Sequence, residues 1–169
     1  MLTVRCTQKL LKRVSEPQTE DLVTPTTLLG DWYANILFSK PQQILLISER
    51  TLLPVVVPAK GIQALSERFT GAVRDVLTIL GIAPRLIEQE LALMQGLRFG
   101  RTINKRILGS LNDFMFHLDC HTHEEPNELL LQRSLRLGEI PCAPIGYKFP
   151  TDATRELFAS VNNIANAIH

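Results

Sequence analysis

Four positive charges, Arg98, Arg101, Lys105 and Arg106, fall within nine residues with no acid among them. Thr102 and Asn104 lie between them, and helical periodicity begins directly afterwards. The first amides of a helix point outward unpaired and its dipole adds partial positive charge, so such a turn can hold a phosphate or a stretch of nucleic acid. Ser110, one helical turn further on, reaches the same ligand only if its side chain faces forward. The same residues also describe a solvated turn whose arginines pair with nearby acids.

A second group, His117, Cys120, His121, His123 and Glu124, gathers three of the four histidines and a thiol into eight residues. On a helix His117 and His121 share a face, with Cys120 three residues after His117. Two or three of these could converge on a zinc-type ion, with His117, His121 and Glu124 the candidate set. The spacing is neither H-E-x-x-H nor a paired C-x-x-C, and it falls where the helix is expected to fray into Glu124-Glu125-Pro126. A polar helix end whose histidines suit the negative dipole is the plainer account. No cofactor is called for.

Nucleophilic catalysis has the residue types, in Cys6, Cys120, Cys142, Ser110 and the histidines, without a G-x-S-x-G elbow or other activating context. Neither a G-x-x-x-x-G-K-[ST] loop nor a G-x-G-x-x-G fingerprint is present, which argues against nucleotide-driven and dinucleotide-dependent chemistry. Trp32 and Tyr33 are adjacent on an expected strand and point to opposite faces, one ring in the core and the other partly exposed. Asp31 and Asn35 share the face of Tyr33, where a small polar pocket is conceivable.

The elements that would position these groups follow from periodicity and breakers. Leu2, Val4 and Cys6 line one side of an extended segment, and Thr7 can cap a short helix reaching Val14. Residues 15–25 read as a surface loop. Strands are expected over 31–38, 44–47 and 51–57, joined by connections too short for a parallel crossover, so they form an antiparallel meander. Pro54 removes a ladder donor and places the third strand at an edge or a bulge.

Ser66 can cap a helix to about Leu80, and Pro84 opens another that Gly96 stops. An extended piece over 97–102 precedes the clearest amphipathic helix, 105–119, with Ile107, Leu108, Leu111, Phe114, Met115 and Leu118 on its apolar face. Further helices are expected from Pro126 to Leu137 and from Asp152 to the end, separated by a proline-rich connection over 141–150. The sum is one α+β domain over residues 1–169, a small antiparallel sheet of about four to five strands against about five to six helices.

With 45% hydrophobic and 21% charged residues the composition is globular, and a net charge of +1 supplies no global field toward nucleic acid or membrane. Three cysteines, odd in number and widely spaced, argue against a disulfide framework. The first residues turn polar too soon for a signal peptide, and no run reaches the length of a membrane span. A cytoplasmic, soluble protein without membrane partners is expected.

Three phrases stand out as a set: Leu28-Leu29-Gly30-Asp31-Trp32-Tyr33-Ala34-Asn35; Phe99-Gly100-Arg101-Thr102-Ile103-Asn104 running into Leu108-Gly109-Ser110-Leu111-Asn112-Asp113; and Ile140-Pro141 with Gly146-Tyr147-Lys148-Phe149-Pro150. With the opening Arg5-Cys6-Thr7-Gln8-Lys9-Leu10-Leu11 they resemble a family of uncharacterised bacterial proteins that often travel with mobile DNA. The resemblance spans nearly the whole chain and implies no activity. The leading functional reading is a non-enzymatic binding or interaction domain with a basic anion-binding turn, its partner a protein or nucleic acid. Two alternatives stay open: a small metal-assisted or nuclease-like enzyme using His117, His121 and Glu124, and a structural homo-oligomer associating through the edge strand that carries Pro54.

Overall fold

The computed structural model describes residues 1–14 and 23–168. Residues 15–22 of the expected 15–25 loop, and His169, lie outside the described residues. Five strands, β1 (Leu2–Cys6), β2 (Trp32–Leu37), β3 (Gln43–Ser48), β4 (Pro54–Pro58) and β5 (Leu97–Arg101), form one sheet in the order β4-β3-β2-β1-β5. Six helices accompany them among the described residues: α1 (Gln8–Leu11), α2 (Leu65–Ile79), α3 (Pro84–Leu93), α4 (Lys105–Glu124), α5 (Leu130–Leu137) and α6 (Pro150–Ile168).

The meander β2-β3-β4 is antiparallel as the short connections require, with Ala34 opposite Leu46 and Leu45 opposite Val56. The sheet as a whole is mixed, because β1 runs parallel to both β2 and β5. Each parallel partner is reached by a long excursion, through α1 on one side and through α2 and α3 on the other. Strand alternation then sorts the side chains. Val4, Trp32, Ile36, Ile44 and Val55 face α1, α2 and α3, while Tyr33, Leu45, Ile47 and Val56 face α4.

Both aromatic rings of β2 are buried, Trp32 edge-on to Phe69 at 4.9 Å and Tyr33 in the α4 layer. The partly exposed ring expected at this pair is absent because helices cover both faces of the sheet. Strand β4 is an edge strand, and Pro54 is accommodated there. Its Val56 amide donates to Ser134 Oγ at 2.9 Å, so α5 covers the edge on which a homo-oligomer reading rested.

Several element ends differ from expectation for visible reasons. The Thr7 hydroxyl donates to Asn35 Oδ1 at 2.6 Å instead of capping, and α1 stops at Leu11. Strand β4 starts at Pro54 because the preceding turn places Leu52 at φ 57°. Helix α2 starts at Leu65, ahead of Ser66, on a 3-10 turn. Helix α4 continues to Glu124, so its histidines lie within an intact helix. Helix α5 starts at Leu130 because the buried Arg133 guanidinium holds the Glu125 and Pro126 carbonyls at 2.9 and 3.2 Å, outside any helix.

Candidate functional site

Helix α4 and the proline-rich connection after α5 enclose a groove of about 360 Å³. From α4 come Ser110, Asp113, Phe114, Phe116 and His117, at spacings of three and four that align on one side of the helix. The opposite wall holds Ile140, Pro141, Cys142, Pro144 and Tyr147. That wall is tied to itself: the Cys142 amide donates to the Lys148 carbonyl at 3.1 Å, and the Tyr147 amide to the Cys142 carbonyl at 2.9 Å. Tyr147 consequently sits at φ 62°, a left-handed conformation that residues with side chains rarely adopt, and the residue is 73% exposed. Phe116 is 67% exposed across from it and stacks edge-on with His117 at 5.8 Å.

The reactive groups of this lining are few and restrained. Burial, with the Asp113 charge second, pushes the Cys142 thiol up to about 11, and the thiol donates to the Ile140 carbonyl at 3.2 Å. A thiol so protected is a poor nucleophile. Among the described residues no hydrogen bond links Ser110 or Asp113 to His117, so the activated pair that acyl transfer needs is missing. Cys6 is no better placed, since burial raises its thiol to about 12.

A second polar constellation lies on the same face of the sheet, toward β5. Arg5 on β1 is buried and pairs with Asp31, Nε to Oδ2 at 3.6 Å, while its Nε has no hydrogen-bond partner among the described residues. Arg98 reaches Thr3 Oγ1 at 3.3 Å, and the Asp31 amide donates to Glu49 Oε2 at 3.0 Å. Burial raises the Asp31 carboxyl, Glu49 adds to this, and Arg5 and Arg98 oppose it. Tyr33 is likewise raised by burial first and by Glu49 second. The polar pocket conceived around Asp31, Tyr33 and Asn35 is therefore a filled network that fixes the sheet face. Asn35 itself turns to Thr7 and its own strand.

The basic turn is divided. Arg98 and Arg101 alternate on β5, so Arg98 joins the Arg5 network while Arg101 points to the opposite face. Asn104 caps α4, its Oδ1 accepting from the Arg106 and Ile107 amides at 2.9 and 3.2 Å, which occupies two of the amides an anion would use. Thr102 lies in the link between β5 and α4. Arg101, Lys105 and Arg106 are exposed, and none forms an ion pair among the described residues.

The histidine cluster is also divided. His117 lines the groove, His123 Nδ1 lies 3.3 Å from Asp119 Oδ1, and Glu124 turns to Arg136 at 3.8 Å. The His117 and His121 rings are 6.3 Å apart, and His121 is lowered by burial first and by Arg136 second. Among the described residues, no group of three or more His, Cys, Asp or Glu side chains is placed to hold a metal ion.

Residues 3–153 match the family described as Domain of unknown function (DUF6933). The chain belongs to that family. The match takes in all five strands except Leu2, the groove and α4, and ends in the first turn of α6. No curated protein and no solved structure matches the chain. The phrases that carried the resemblance to an uncharacterised family meet in space: Ser110 and Asp113 face Ile140, Pro141 and Tyr147 across the groove, while Asp31 and Tyr33 adjoin Arg5.

Spacing alone puts Ser110 and His117 in different sites and joins neither to residues 141–147. One signal does point to the groove. Phe116 lies outside the apolar stripe of α4, and Tyr147 follows a glycine in a proline-fixed connection, so two aromatic rings are left without a place in the core.

Proposed function

We propose that this chain is a non-enzymatic binding domain whose ligand occupies the groove between α4 and residues 141–147. The observation that carries this reading is the Tyr147 ring, held outward at a left-handed backbone position over a cavity lined by a few polar groups and a majority of apolar ones. Cavities of about 300–1,000 Å³ with that mixture are the usual form of small-ligand sites. The protected Cys142 thiol, and the lack of a hydrogen bond from Ser110 to His117 among the described residues, favour binding over catalysis. Free thiols at Cys6, Cys120 and Cys142 support a reducing, cytoplasmic setting, and among the described residues no helix is long and apolar enough to cross a membrane.

The test is an amide chemical-shift map of the labelled chain against a chemically mixed panel of small amines, acids, alcohols and aromatic amides. Perturbations should cluster on Ser110, Asp113, His117 and Tyr147, and Ala143→Trp, at an exposed rim position, should abolish them. Perturbations scattered over the surface, or unaffected by Ala143→Trp, would refute the site.

A second reading rests on Arg101, Lys105 and Arg106, exposed and without an ion pair among the described residues. With Asn104 capping the helix, a polyanion would be held there by side chains more than by helix amides. Binding to duplex DNA, single-stranded DNA or RNA that weakens steeply with salt supports this reading; binding to none of them at moderate salt removes it.

A further inference from the structure

We infer that the groove takes an organic cation, an ammonium or guanidinium group on a short apolar stem, seated between the Tyr147 and Phe116 rings and the Asp113 carboxylate. This rests on the groove being the binding site and names the chemistry of its occupant.

Among the described residues, Asp113 is the only acidic side chain lining the groove, and no lysine or arginine lines it. Its carboxylate has no ion-pair partner among the described residues. The nearest basic side chain along that wall, Lys148, is committed to Glu156 at 2.7 Å. The Asp113 charge acts into the groove, since it adds to burial in holding the Cys142 thiol protonated. The aromatic elements have the same sign preference. Their faces carry negative potential, and a cation over such a face is attracted by the ring quadrupole. Phe116 and Tyr147 are both exposed, on opposite walls, with no core role that accounts for either ring.

The alternatives fit less well. An anion would meet the Asp113 carboxylate and two ring faces, which repel it, with only the Ser110 hydroxyl and the His117 ring in the lining to donate to it. A wholly apolar ligand would strip water from Asp113 and give nothing in return, a penalty that favours a charged partner. A cation with a short stem satisfies both parts of the lining: its head meets Asp113 and the rings, and its stem lies against Ile140, Pro141 and Pro144. Ser110 Oγ, on the helix wall, is an acceptor within the same lining for a remaining N–H.

The experiment titrates the ¹⁵N-labelled chain with ethylguanidinium and butylammonium, with their neutral counterparts ethylurea and 1-butanol, and with butyrate. A ten-residue peptide carrying a single arginine among neutral residues completes the set. Both cations should shift the Ser110, Asp113, His117 and Tyr147 amides saturably, the neutral pair and butyrate should not, and Asp113→Asn should weaken the cations about tenfold with core amides unmoved. Tyr147→Ala should weaken them as well. Tighter binding of the peptide than of ethylguanidinium supports the cation site with a protein segment as its source; equal binding supports it with a free amine as source. Neutral probes binding as well as the cations, or an Asp113→Asn variant binding unchanged, would overturn the cation and leave the groove. No probe binding in the groove would overturn both.

Discussion

Glu90 holds the segment that leads into β2. It lies on the buried side of α3, 1% exposed, with Oε2 accepting the Leu28 amide at 2.9 Å and Oε1 the Leu29 amide at 3.1 Å. Glu90→Ala removes both acceptors. Each buried amide left unpaired costs about 1–3 kcal/mol, and Leu28 is exposed enough for water to recover part of its share, so the sum is about 2–4 kcal/mol. For a chain of this length that is a fall of roughly 5–15 °C in Tm. Glu90→Gln keeps one acceptor and should cost clearly less.

The pH dependence gives a second readout. Burial raises the Glu90 carboxyl, against the pull of the Leu28 and Leu29 amides and of Arg50. The folded chain therefore holds the proton more tightly than the unfolded one. The contribution of this group is fully present below its unfolded value and is lost as pH rises through its folded value. The wild-type minus Glu90→Gln difference in Tm should fall as pH rises from the ordinary carboxylate range, near ~4.3, toward neutrality. Thermal denaturation followed by circular dichroism between pH 4 and 7 measures both effects. A Glu90→Ala variant within about 0.5 kcal/mol of wild type, the range of a plain surface change, would refute the role assigned to this carboxylate.

Three further perturbations probe neighbouring parts of the fold, and a fourth the basic edge. Gly30 sits at φ +81°, where an added methyl group would fall 2.7 Å from Glu49 Oε2, so Gly30→Ala should cost about 2–3 kcal/mol through left-handed strain and displacement of Glu49 from the Asp31 amide. Gly71→Ala on the exposed face of α2, where an added methyl meets nothing within 4 Å, should instead stabilise by about 0.5–1 kcal/mol in the same melts. Arg133→Met removes the donors to Gln43 Oε1 and to the Glu125 and Pro126 carbonyls and should cost about 3 kcal/mol in urea denaturation, with faster amide exchange in residues 125–129. If the basic edge binds nucleic acid, replacing Arg101, Lys105 and Arg106 by alanine should flatten the slope of log K against log salt by about 0.9 for each phosphate of duplex DNA that is no longer neutralised.

How much of this was legible in the sequence depended on whether the physics was local. Pro84 at the first turn of α3, the glycine after α2 and the stripe of Ile107, Leu111, Phe114 and Leu118 are local signals, and these helices start within two residues of where the spacing put them, α4 running on to Glu124. The short connections around residues 38–42 and 49–53 dictated antiparallel pairing for β2, β3 and β4. The insertion of β1 between β2 and β5 was not legible, because its partners lie some 28 and 95 residues away and any strand of Leu2, Val4 and Cys6 would look the same at an edge. Arg5 shows the consequence. In a strand with one wet face it would be solvated; here Arg5 is buried beside Asp31.

The candidate site was legible only in fragments. The histidine run and the basic turn are dense in sequence, yet helix and strand geometry disperses them: His117, His123 and Glu124 turn to three different partners, and Arg98 and Arg101 to opposite faces. The groove is the reverse case. Its two walls are separated by α5, and their residues become one site only when the 3-10 turn at Ala143–Ile145 packs back against α4.

The most direct measurement is a crystal structure of the chain soaked with ethylguanidinium. A cation-binding groove should show ordered density, with the guanidinium within about 6 Å of the Tyr147 ring centre and in contact with the Asp113 carboxylate. Density for the cation elsewhere on the surface, with the groove holding only solvent, would contradict it.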